Sequence, residues 1–126
     1  MYDDSGVLDD ILTNFELYVN KIITELKNVN NGIKIFLATI VPSYATPLNP
    51  NYNALNDKIK EIVEITENTY LIDLNKYSAM ASKPQYNVTH PTALGYHKLA
   101  NEIKSYISYI INNNLSEFTN IQFIGG

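Results

Sequence analysis

The chain has 126 residues, 45% of them hydrophobic and 17% charged, with a formal net charge of −4, which fits one globular domain with a real core and excludes a disordered or multidomain chain. Its nine basic residues are all lysines, whereas nucleic-acid and polyphosphate binders use arginine forks on a basic face, so no nucleic-acid partner is expected. Cysteine is absent, which excludes disulfides and thiolate metal sites but leaves the cellular compartment open.

Thr13-Asn14-Phe15-Glu16 has the Thr-x-x-Glu capping-box pattern and predicts a helix start. Phe15, Val19, Ile22, Ile23 and Leu26 then recur at helical spacing as one apolar stripe. Asn30-Asn31-Gly32 predicts the end of that helix, through a residue tolerant of positive φ. Residues 33–41 (IKIFLATIV) are almost continuously apolar and read as a strand buried on both faces, stopped by Pro42. Asn49 and Pro50 predict a cap and a first helical residue. Tyr52, Leu55, Ile59, Ile62 and Val63 would line one face of the second helix. Residues 69–74 (TYLIDL) read as a second buried strand and residues 75–91 as a long loop. A third helix is predicted over about residues 92–112, with Ala100, Ile103, Ile107, Ile110 and Ile111 inward.

This alternation predicts a parallel sheet with right-handed crossovers. Two strands are too little sheet for three helices to cover. The chain is therefore expected either to pair with another copy or to belong to something larger. Residues 1–114 read as a partial α/β domain, and residues 115–126 (LSEFTNIQFIGG) as a strand-like tail or the start of a further segment. No apolar run reaches the length of a membrane span, and Met1-Tyr2-Asp3-Asp4 is acidic where a signal peptide is basic, so a soluble chain is expected.

The candidate site lies in Asn87-Val88-Thr89-His90-Pro91-Thr92-Ala93-Leu94-Gly95-Tyr96. Pro91 disfavours helix at His90 and suits the first turn of the third helix, so His90 is expected on a loop at a helix entrance. His97 lies two helical turns on and reads as a partly exposed helix residue; two histidines without a third ligand make no zinc site. Asp73, at a strand end, reads as a carboxylate capping the next loop, with a role as catalytic acid as the alternative. Asn87-Val88-Thr89 and Asn114-Leu115-Ser116 are formal glycosylation sequons of the kind that chance produces in a chain this rich in Asn. Tyr52, Tyr96, Tyr106 and Tyr109 fall on predicted helices, where partial packing is the default and sugar stacking the alternative.

Ile40-Val41-Pro42, Tyr52-Asn53, Leu71-Ile72-Asp73-Leu74 and His90-Pro91 followed by Gly95-Tyr96-x-x-Leu99-Ala100 occur in one order over residues 33–112. In that order they resemble the C-terminal half of an SGNH (GDSL-type) hydrolase. The resemblance implies a three-layer α/β/α, flavodoxin-like fold around a parallel sheet. It also implies a Ser-His-Asp arrangement that cleaves small acyl esters on carbohydrate or lipid, with no cofactor and no metal. His90 matches the family's base. The family's acid lies three residues earlier, where this sequence has Asn87; its side-chain oxygen can accept from the imidazole but brings no charge to stabilise imidazolium.

The family's Gly-Asp-Ser nucleophile block, oxyanion glycine and Gly-x-Asn-Asp block have no counterpart in the 126 residues. Asp4-Ser5-Gly6 is preceded by too few residues to form the strand that presents a nucleophile. Two functions are therefore expected as alternatives. One is a serine ester hydrolase, or its His-bearing fragment, acting on an acylated small molecule or carbohydrate. The other is a non-catalytic binding or structural module on the same scaffold, for instance in a cell-surface or phage-tail protein. The parent is then expected to be secreted, cell-surface or virion-associated, and the fragment to be completed by a homo-oligomer or by the missing N-terminal half.

Overall fold

A computed structural model describes residues 5–41, 50–78 and 90–119 of the chain. Its elements in order are α1 (Ser5–Val29), β1 (Ile35–Ala38), α2 (Pro50–Ile65), β2 (Thr69–Ile72), a single turn α3 (Leu74–Tyr77), α4 (Ala93–Asn113) and a 3-10 turn at Leu115–Phe118. The result is a helix-rich mixed α/β structure with a small two-stranded parallel sheet. β1 and β2 pair in parallel with Ile35 opposite Thr69 and Ala38 opposite Ile72, as the two apolar runs joined by one helix predict.

Side chains alternate across this sheet and build a separate core on each face. Ile35 and Leu37 pack with Ile23, Phe15 and Val19 of α1 and with Ile62 of α2. Phe36, Tyr70 and Ile72 pack with Ile110 of α4 and with Phe118. The rings of Phe36, Tyr70 and Phe118 form a mutual cluster with centroids 5.0–6.1 Å apart, in the range where aromatic pairs attract beyond simple burial.

Local chemistry departs from expectation at several points. α1 begins well before Thr13, so the capping-box pattern lies inside the helix and caps nothing. Its stripe is also rotated: Ile23 is buried, but Ile22 is 60% exposed and Leu26 37%. α1 does end where predicted, by a different device. The Asn30 side-chain oxygen accepts from the Gly32 N–H at 3.0 Å, an Asx turn, while the one non-glycine residue with positive φ among the described residues is Asn68, leading into β2.

β1 is shorter than residues 33–41 and not buried on both faces, because Ile35 alone of its four residues is buried and Ala38 is exposed. Its outer side has no neighbouring strand among the described residues to cover it. On α2, Ile59 and Ile62 are buried as predicted, but Tyr52 is exposed and Asn56 takes a place inside. On α4, Ala100 is exposed, while Ile103, Ile107, Ile110 and Ile111 pack inward. Leu115–Phe118 is a 3-10 turn with Phe118 buried rather than part of a strand; residues 120–126 lie outside the described residues. No described helix is long and apolar enough to cross a membrane.

Ile62, 1% exposed, is the most deeply buried large side chain of the α1–β1–α2 core. Ile62→Ala is expected to lower the free energy of unfolding by about 3 kcal/mol, whereas Tyr52→Ala should change it by less than about 0.5 kcal/mol; urea unfolding followed by circular dichroism measures both.

Candidate functional site at the strand ends

Both strands end at the same level, and the residues just past those ends are polar and buried. Thr39 is 3% exposed and Asp73 7%. The Thr39 hydroxyl donates to Asp73 Oδ1 at 2.9 Å and accepts from the Asn75 N–H at 2.9 Å. Asp73 Oδ1 also accepts from the Lys76 N–H at 3.3 Å, which caps α3. The Asp73 carboxylate thus serves the turn after β2, in the capping role expected for it.

Asn56, 2% exposed on α2, reaches the other side of the same strand ends. Its side-chain oxygen accepts from the Ile40 N–H at 2.7 Å, and its amide nitrogen lies 3.4 Å from the Ile40 carbonyl, which also accepts from Asn75 Nδ2 at 3.1 Å. β1 therefore leaves the sheet with its backbone groups satisfied by side chains from α2 and α3. In open α/β sheets this carboxyl end is where ligands bind.

His90 sits in an exposed bend before Pro91. Thr92 then caps α4, its hydroxyl accepting from the Gly95 N–H at 3.0 Å. The loop position predicted for His90 is correct, but Pro91 precedes the cap and does not occupy the first helical turn. No hydrogen bond joins His90 to another described residue. Asn87, the predicted partner of His90, lies outside the described residues.

α4 faces α3 across an open groove of about 810 Å³ that extends along the helix from Leu94 to Tyr109. Leu74, Tyr77 and Ser78 line one side and Leu94, His97, Asn101, Glu102, Tyr106 and Tyr109 the other. Leu74, just past the exit of β2, and Leu94, in the first turn of α4, both line this groove. His97 is an exposed helix residue as predicted, with Nε2 3.4 Å from Asn101 Nδ2. Glu102 binds Lys98 at 2.5 Å through Oε1. Glu102 Oε2 and the Ser78 hydroxyl are buried without a hydrogen-bond partner among the described residues.

Tyr106 is half-buried at the inner wall of the groove, its ring 6.1 Å from that of Tyr77. Burial pushes its hydroxyl above the ordinary tyrosine value; a backbone hydrogen bond with Asp73 works against this, and the Asp73 carboxylate adds to it. Tyr109 and Tyr96 are 66% and 61% exposed, so partial packing holds for Tyr106 and not for these two. Among the described residues no group of three His, Asp or Glu side chains is placed to hold a metal ion.

The chain matches no family model, no curated protein and no solved structure. Sequence patterning did not find Thr39 or Asn56. Asn56 had a readable signal, a polar residue beside Leu55 at the register of the apolar face of α2. Thr39 had none, because a β-branched residue at the end of an apolar run reads as strand.

Removing the Thr39 hydroxyl leaves the Asn75 N–H without its acceptor and takes from the buried Asp73 carboxylate its shortest hydrogen bond. Thr39→Val is expected to destabilise the fold by about 2 kcal/mol and Thr39→Ser, which keeps the hydroxyl, by clearly less, as measured by urea unfolding. Alkaline pH gives a second check. A phenol whose folded-state pKa is raised contributes stability fully present below its unfolded value near 10.0 and lost as pH rises through the folded value. The wild-type chain should therefore lose stability above about pH 10 more steeply than Tyr106→Phe, measured by unfolding at stepped pH.

Proposed function

We propose that the chain is the histidine-bearing part of an SGNH/GDSL-type serine ester hydrolase, with His90 as general base and Asn87 at the position of the acid. The observation that carries this reading is a conjunction. A parallel pair of strands is joined by one crossover helix, His90 stands on an exposed bend at the entrance of α4, and one groove is lined both by Leu74 past the exit of β2 and by Leu94 of the first turn of α4. A base mounted on such a loop can reach a reaction over the strand ends while the sheet below stays rigid. The finer three-layer, flavodoxin-like architecture belongs to the same proposal, supported by helices packed on both faces of β1–β2.

In this reading His90 takes the proton of a serine hydroxyl and returns it to the leaving alcohol, and Asn87 orients the imidazole by accepting from its other N–H. The serine and the oxyanion donors come from a nucleophile block that has no counterpart in these 126 residues. Acyl esters on carbohydrate or lipid are the proposed substrates.

A second reading, a non-catalytic binding module on the same scaffold, is favoured by the groove itself. Tyr77, Tyr106 and Tyr109 offer ring faces there, beside hydrogen-bonding groups of His97 and Asn101, a combination suited to a sugar ring. Saturable binding of an acetylated oligosaccharide, lost in Tyr109→Ala and never followed by deacetylation, would select this reading.

Hydrolysis of a short-chain aryl ester tests the first reading. The 126-residue chain should be no faster than His90→Ala, because a base without a nucleophile forms no acyl-enzyme. Joined to a segment that carries a Gly-Asp-Ser block, it should gain activity that depends on His90, and Asn87→Asp should then raise kcat by at least about tenfold. Labelling of a serine in the unjoined chain by a fluorophosphonate, or a joined enzyme indifferent to His90→Ala, would overturn the assignment.

A further inference from the structure

α1 carries more apolar surface than the core takes up. Val7, Ile11, Tyr18, Ile22 and Val29 are 46%, 43%, 59%, 60% and 88% exposed. Val7, Tyr18 and Val29 recur every eleven residues, as do Ile11 and Ile22, and an eleven-residue period keeps a stripe almost parallel to the helix axis. The stripe runs about 33 Å along the helix, well beyond the isolated exposed hydrophobics that a monomer tolerates.

The direction of the stripe is fixed by the opposite side of α1. Glu16 pairs with Lys58 of α2 at 3.3 Å, and Lys27 donates to the Glu67 carbonyl at 2.9 Å just past α2. At 100° per residue the stripe lies across the helix from these two side chains. It therefore points away from α2, on the side where β1 is the outermost strand among the described residues.

Among the described residues that side of β1 is also unpaired. The Ile35 and Thr39 N–H groups donate toward β2, to the Asn68 and Ile72 carbonyls. The alternate residues Phe36 and Ala38 thus turn their N–H and C=O groups to the outer edge, where no described residue pairs with them. An apolar helix stripe beside an open strand edge is a surface built for both packing and pairing.

We propose that this surface is the interface of a two-fold symmetric dimer of the chain, in which β1 pairs antiparallel with β1 of a second copy and the two α1 stripes pack over the junction. The stripe and the edge call for the same axis. A two-fold axis at Tyr18 sets Val7 against Val29 of the second copy and brings Ile11 within a turn of its Ile22. Ile23 and Ile35 are buried together, with Val19 and Leu37 beside them. Four helical residues cover about 6 Å and two strand residues about 6.6 Å, so Tyr18 stands at the level of Leu37. A two-fold axis at Leu37 faces Phe36 with Ala38 of the second copy, the arrangement in which opposed residues exchange both N–H···O=C bonds. The sheet then runs β2-β1-β1-β2 without an open edge at its centre.

The test uses the complete chain. Sedimentation equilibrium at about 100 µM, within the range where exposed edges associate, should give twice the 14.3 kDa chain mass. Ile22→Lys, which puts a cation on an already exposed position, should give a monomer with unchanged helical circular dichroism. The chain has no native cysteine, so Tyr18→Cys should cross-link to itself on mild oxidation, while Leu17→Cys, exposed but off the stripe, should not. The Phe36 and Ala38 amides should be protected from hydrogen exchange in the wild type and lose that protection in Ile22→Lys. A monomer at that concentration would overturn the proposal, as would a dimer that survives Ile22→Lys or cross-links equally at Leu17. A dimer that leaves the Phe36 and Ala38 amides unprotected would overturn the shared sheet.

Discussion

The fold depends on the buried hydrogen bond between Thr39 and Asp73 more than on any other single polar contact. Four residue pairs of parallel ladder are marginal on their own. At the point where the ladder ends, one residue holds three pieces of chain. The Thr39 N–H extends the ladder to the Ile72 carbonyl at 3.0 Å, its hydroxyl binds Asp73, and the Asn75 N–H binds that hydroxyl. Strand, strand and following turn are fixed together in a place from which water is excluded, where unmade hydrogen bonds are costly.

This constraint governs the way apolar surface is divided. A two-stranded sheet has little area on either face, so the helices complete two small cores instead of one large one. Ile23, Ile35 and Ile62 define the first, and Ile72, Leu74, Ile110 and Phe118 the second. The aromatic cluster of Phe36, Tyr70 and Phe118 closes the second core, and the turn after α4 exists to deliver Phe118 to it. α1 finds partners only along one side, since beyond β1 there is no further strand among the described residues to lie under it. The surplus apolar stripe of α1 and the open edge of β1 have the same physical origin.

The same geometry sets the functional potential of the strand ends. Asp73, Thr39 and Asn56 are occupied in holding the scaffold, which leaves chemistry to groups that stand apart from it. His90 stands on an exposed bend, and the groove between α3 and α4 is lined by His97, Asn101 and three tyrosines. A rigid, fully bonded base with freely presented side chains above it suits either of the two functions argued here, because both need reactive or binding groups held against a surface that does not move.

The sequence by itself determined the order and kind of the three long helices and two strands. It did not determine the single turn α3 or the 3-10 turn at Leu115–Phe118, which fall on residues that read as strand, loop and strand-like tail. Residues 33–41 and 69–74 are apolar without helical period, and Pro and Asn-rich stretches interrupt the helices; these are local signals, and parallel pairing results from the helix between the strands. The placement of His90 on a loop was legible for the same reason, since Pro91 acts on its neighbour directly. What only the tertiary structure decided is which side of each element is used. Ile22 and Ile23 are equivalent in the sequence, yet one is exposed and the other buried, because the described sheet stops at β1 and offers α1 a face only as wide as a single strand. Thr39 likewise became structural through a partner 34 residues away, a distance at which no local pattern carries information.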